Sequence, residues 1–117
     1  MNRKLLCISA FAFALLSGSA FADNNPSVDC STTITTGGTA QLLCGGVTPK
    51  GGFKITNPSA TYDLWASDVT QASPNGVGST RIAANGGYWA LEPGEKPLGP
   101  ISIFGAVTGQ PITAKRW

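Results

Sequence analysis

The sequence contains no histidine, one methionine and three cysteines, and only 12% of its residues carry charge. Without histidine, the usual general base of serine and cysteine hydrolases is missing, and so are the imidazole ligands of catalytic zinc and blue copper. The acids are too scattered for the clustered oxygen ligands of a calcium site. Gly76-Val77-Gly78-Ser79 has a glycine pair, but no lysine follows at the spacing that cradles phosphate. Basic clusters are absent too. Beyond residue 22 the one basic doublet, Lys115-Arg116, is too small to neutralise a line of phosphates, which speaks against nucleic acid as a partner.

Two carboxylate pairs are the remaining catalytic candidates. Asp63 and Asp68 are separated by an odd number of residues, so a regular strand turns their side chains to opposite faces. Glu92 and Glu95 share a proline-rich loop, where charged side chains are ordinarily solvated. Neither arrangement holds two acids across one substrate as glycoside hydrolysis requires. The expectation is a protein that is not an enzyme and needs neither a cofactor nor a metal.

No apolar run reaches the roughly twenty residues that a membrane-spanning helix needs. The longest, Leu5 to Leu16, follows Arg3-Lys4 and precedes Ala20-Phe21-Ala22. A positive start, a short apolar middle and a small-x-small exit predict a signal peptide over 1–22, hence export to a periplasmic or extracellular space with no membrane span in the mature form. Removal of Arg3 and Lys4 leaves six acids and six bases in 23–117. The expected mature piece is neutral and about 95 residues long, the size of one small domain.

Cys7 lies in the predicted signal peptide. Cys30 and Cys44 remain as an even pair in an oxidising compartment, so a disulfide between them is expected. Between them, Ser31 to Thr36 and Thr39 to Cys44 flank Gly37-Gly38. This predicts a hairpin whose base the disulfide closes. Asp23 to Asp29 reads as a flexible leader before the domain at 30–117.

After Ala22 no segment carries a helical period, and alternation dominates. Phe53 and Ile55 face away from Lys54 and Thr56, and Leu64 and Ala66 face away from Trp65 and Ser67. Further strands are expected at Ser79 to Ala84, Gly87 to Leu91, Ile101 to Thr108 and Ile112 to Trp117. Three prolines and two glycines within Glu92 to Pro100 force a long loop. The pattern predicts an all-β fold, a single small β-sandwich or partly open barrel of seven to eight short antiparallel strands.

Alternation also places bulky aromatics on both faces of these strands. Trp65, Tyr88, Trp89 and Trp117 are therefore the candidate binding or interface residues, through a sugar-stacking platform or as anchors for a protein surface. A partner is expected to be another protein, a second copy of the chain, or a glycan.

From Gly52 onward the chain resembles small β-rich virion-associated or structural proteins of tailed phages and prophages. The stretches that carry this resemblance are Phe53-Lys54-Ile55-Thr56-Asn57-Pro58, Asp63-Leu64-Trp65-Ala66-Ser67, Ile101 to Ala106, and Thr108-Gly109 through Thr113 to Trp117. The resemblance implies a non-catalytic sandwich that assembles on a larger particle or surface. A signal peptide and a paired cysteine hairpin depart from that class. Carbohydrate binding through exposed Trp or Tyr, and an accessory or inhibitor role through the Pro/Gly-rich loop, are the alternatives.

Overall fold

A computed structural model describes residues 27–117 apart from position 93. The predicted signal peptide and positions 23–26 of the leader lie outside the described residues. Nine short strands form: β1 (Val28–Asp29), β2 (Thr32–Thr33), β3 (Gln41–Leu42), β4 (Phe53–Thr56), β5 (Leu64–Ser67), β6 (Thr80–Ile82), β7 (Tyr88–Ala90), β8 (Ser102–Gly105) and β9 (Pro111–Arg116). They make two antiparallel sheets. The first has the order β1-β9-β4-β7, with β2 also on β9, and the second is β3-β8-β5-β6.

β1 and β2 are one strand interrupted in its bonding. Asp29 pairs with Lys115 and Thr32 with Ile112, a single register, and the Cys30 N–H between them reaches the Ala114 carbonyl at 2.8 Å. At the break the Ser31 hydroxyl accepts from the Ala114 N–H at 3.2 Å. Counted this way the sandwich has eight strands, and the chain crosses between the sheets at nearly every connection. This strand order is that of a jelly roll, in which strands distant in sequence become neighbours.

The all-β sandwich reading therefore holds, but two local expectations do not. The segments flanking Gly37-Gly38 do not pair: β2 bonds to β9 in one sheet and β3 to β8 in the other. Gly37 turns the chain between the sheets instead. A Cβ there would lie 2.5 Å from the Ala106 carbonyl oxygen, so only glycine passes this close to the 106–108 turn. The end of the predicted flexible leader is also ordered, because Val28 and Asp29 find open hydrogen-bonding groups on β9.

The Cys30–Cys44 disulfide is present, with its Cα atoms 5.0 Å apart. It closes no hairpin. Cys30 follows β1 and Cys44 follows β3, so the bond staples one edge of the first sheet to one edge of the second. Along the same edge Gln41 extends the connection: its Nε2 donates to the Thr33 carbonyl at 3.0 Å and its Oε1 accepts from the Thr35 N–H at 2.8 Å.

The opposite edge is joined by Asn57, which is fully buried. Its Nδ2 donates to the carbonyls of Tyr62 and Ile82, and its Oδ1 accepts from the Ser59 N–H. Its backbone N–H and carbonyl bond Gly87 and Gly86. One residue, through its side chain and backbone together, thus ties both sheets and the 83–87 crossing.

Between the sheets lie Ile34, Leu43, Phe53, Ile55, Leu64, Ile82, Ile101, Ile103 and Ile112, with Ala66 and Ala114 where space is short. β-Branched isoleucines dominate, as suits a pleated surface packed face to face. Alternation is clean in β4 and β9, where Lys54, Thr113 and Lys115 face outward. It fails at the end of β5 and the start of β8. Ser67 and Ser102 point away from the core yet are buried, because the loop after β5 folds back over them. Among the described residues no helix is long and apolar enough to cross a membrane.

Candidate functional site

The jelly-roll order sends the longest connections, Leu43–Gly52, Asp68–Ser79 and Leu91–Ile101, to one end of the sandwich. Loops gathered on a rigid scaffold are where binding surfaces ordinarily form. Here the second and third of them, with strand β3 and Ala40 before it, enclose a groove of ≈ 580 Å³, walled by Ala40–Leu42, Asp68–Gln71 and Leu98–Pro100 and floored in part by Ser102. Its apolar rim comes from three separate stretches of chain: Leu42 is 56% exposed, Val69 56% and Leu98 80%.

Hydrogen bonds to buried serines shape the wall. Ser67 Oγ accepts from the Val69 and Thr70 N–H groups at 3.2 and 3.1 Å, and Ser102 Oγ accepts from the Ala72 N–H at 2.9 Å. Asp68 Oδ2 accepts from the Leu98 N–H at 3.0 Å and so fastens the Pro/Gly-rich loop to the loop after β5. The two loops are held in position before any partner arrives.

One wall of the groove is also a sheet edge. Gln41 pairs with Ile103, and the Leu43 N–H bonds the Ile101 carbonyl at 2.8 Å. Antiparallel alternation then turns the backbone N–H and C=O of Leu42 away from β8, toward the edge that Gln41 and Cys44 bridge to the first sheet. Leu42 thus carries an apolar side chain on the groove and main-chain groups that β8 does not use.

The aromatic candidates are dispersed. Trp65 lies on the outer face of the second sheet, paired across the strands with Arg81 and Phe104. Tyr88 stands 66% exposed on the outer face of the first sheet, with Lys54 Nζ 5.0 Å from its ring centre. Trp89 turns inward and meets Phe53 edge to face at 4.7 Å. Trp117 lies at the loop-bearing end against Gly51 and Gly52, whose N–H groups bond its carbonyl. No two of them share a platform on which a sugar ring could stack.

The acids do not converge either. Asp63 Oδ2 accepts from Arg81 Nε at 2.7 Å, and Asp63 Oδ1 accepts from the Ala84 N–H. The Arg81 side-chain hydrogen bond, helped by the Ala84 N–H, holds its carboxyl below the usual aspartate value. Asp68 serves the loop clasp, and Glu95 is joined to Glu92 only through a backbone turn. Among the described residues, no three His, Cys, Asp or Glu side chains are grouped to hold a metal ion.

Sequence reasoning passed over Leu42, Val69 and Leu98. The available signal was Leu98, a large aliphatic residue inside a loop of prolines and glycines where no core position requires one. No family model, curated protein or solved structure matches the chain.

Proposed function

We propose that the chain is an exported, non-catalytic attachment module that docks an extended segment of a partner protein, and through it joins a larger assembly. The observation that carries this reading is the groove rimmed by Leu42, Val69 and Leu98, beside which the Leu42 main chain keeps groups that β8 does not use. An added strand would bond the backbone of Leu42, and its outward apolar side chains would lie along the rim. That is strand addition, with affinity from main-chain bonds and specificity from side-chain pockets. The serine and aspartate clasps lower the ordering cost of such a contact.

The disulfide supports export, since such bonds persist in oxidising compartments. The jelly-roll order is compatible with the virion-like expectation, as this architecture builds capsid and lectin domains, but a fold alone assigns no function. The groove favours the accessory reading through the Pro/Gly-rich loop over sugar stacking, because Leu98 and Pro100 come from that loop.

A photo-cross-linking residue placed at position 98, in the chain expressed in its own host, should capture a protein partner that the same residue at position 88 does not. Val69→Asp should abolish the adduct without unfolding the domain. Equal capture from both positions, or an adduct indifferent to Val69→Asp, would overturn the reading.

A further inference from the structure

On the opposite sheet, the outer face carries a second set of side chains that the groove does not use. Lys54 of β4 and Lys115 of β9 are directly paired across the strands, and both are exposed. Like charges placed opposite each other disfavour the sheet. Neither is within ion-pair distance of a carboxylate, for among the described residues the one ion pair is Arg81–Asp63, on the other sheet. Asp29, in register with Lys115, sets one carboxylate at the margin of the pair, and that carboxylate accepts from the Ser31 N–H at 2.9 Å. Hydrogen bonds from the Ser31 side chain and backbone hold its pKa below the ordinary value.

The neighbouring row of the same face is Thr113, Thr56 and Tyr88, again in direct register. A shallow depression of ≈ 450 Å³ runs over Lys54, Thr56, Thr113 and Lys115 toward Ser27, Asp29 and Ser31. The face thus presents two adjacent ammonium groups with one carboxylate at their margin, a row of hydroxyls and one largely exposed phenol ring.

We propose that this face binds an acidic glycan, with one sugar carboxylate seated between Lys54 and Lys115 and the ring hydroxyls meeting Thr56 and Thr113. Cross-strand neighbours lie about 5 Å apart at Cα, so both ammonium groups reach a single carboxylate. Tyr88, whose ring Lys54 Nζ overlies at 5.0 Å, flanks this seat and leaves its outer edge and hydroxyl to the sugar.

The surroundings select this ligand class. β4 and β9 are both flanked by other strands, so the face offers no main-chain pairing groups to an extended peptide. A lipid surface would need aliphatic side chains to insert beside the lysines, but Leu42, Val69 and Leu98 belong to the groove at the other sheet. Two ammonium groups on a flat face are too few to follow a nucleic acid backbone. The site is independent of the groove, so either can fail without the other.

Affinity electrophoresis of the purified protein through gels containing sodium polygalacturonate, with neutral dextran gels beside them, tests the proposal. Polygalacturonate should retard the protein and dextran should not. Lys54→Met and Lys115→Met should each weaken retardation about tenfold, the double substitution should abolish it, and high salt should do the same. Lys96→Met, in the Pro/Gly-rich loop, should change nothing. An unretarded protein, equal retardation by dextran, retardation unaffected by the two lysine substitutions, or binding to phosphatidylglycerol vesicles but not to polygalacturonate would each overturn the proposal. Near-ultraviolet circular dichroism of the variants separates lost binding from lost folding.

Discussion

Replacing both Cys30 and Cys44 by serine should loosen the sandwich at one edge in both sheets at once. The disulfide spans a sequence separation of 14. On the chain-entropy account, a loop of this size restricts the unfolded chain enough to contribute about 3 kcal/mol to stability. In a domain this small, such a loss lowers the melting temperature by roughly 10 to 25 °C. The location makes a sharper statement than the magnitude. The N–H groups of residue 30 and Ile34 donate to Ala114 and Gln110 in the first sheet, whereas Leu43 donates to Ile101 in the second. Native-state hydrogen exchange on the double variant should show these three amides opening below the global unfolding free energy, while Ile55 in the central strand β4 still reports global unfolding. A hairpin staple would instead loosen the two segments as a mutually paired unit. A stability loss below about 1 kcal/mol, or faster exchange confined to one sheet, would refute the assignment of this bond as the link between sheets.

Asn57→Ala should cost about 2 to 4 kcal/mol in urea unfolding, because it strands the Ile82 carbonyl in a buried setting and takes from the Tyr62 carbonyl one of its two donors, leaving Gln110 Nε2. A cost below about 1 kcal/mol would show that water replaces the amide. Gly105→Ala should destabilise by roughly 1 to 3 kcal/mol, since the added Cβ would lie 2.6 Å from Ile34 Cγ1 and 2.8 Å from Gln110 Oε1. Unchanged thermal unfolding would refute that packing. Asp63 and Asp29 both have native pKa values below their ordinary 3.8, so their contributions are fully present above that value and disappear as pH falls through it toward the lower native values. Asp63→Asn should flatten the acid limb of a urea-midpoint profile taken from pH 6 to pH 2, and an unchanged limb would count against the Arg81 contact. Leu98→Asp should leave the midpoint within about 0.5 kcal/mol of the parent, because its side chain is 80% exposed; a larger loss would mean that it packs inward.

Individual strands were legible wherever one face is buried and the other is wet. Phe53 and Ile55 against Lys54, and Ile112 and Ala114 against Thr113 and Lys115, are period-two patterns whose burial follows directly. The same logic misled where a loop covers the outer face. Ser67 and Ser102 occupy outward positions but are buried as acceptors for the loop after β5. Aromatic residues were a poor guide to a shared site, because bulk shows that a side chain needs contact without showing where. Trp89 found Phe53, Trp117 found the Gly51-Gly52 backbone, and Trp65 and Tyr88 ended on different sheets.

Local pattern by itself determined that the chain is all-β, where most strands run, where proline and glycine interrupt them, and which two cysteines remain to pair. These are properties of neighbouring residues, set by side-chain alternation and backbone sterics. Tertiary structure alone decided which strands pair, and so converted the disulfide from a hairpin closure into a bond between sheets. It also brought Leu42, Val69 and Leu98 to one groove and set Lys54 beside Lys115. The physical reason is that a jelly roll pairs strands far apart in the chain. Its contacts are settled by how two sheets bury a common core, which no short window of sequence contains.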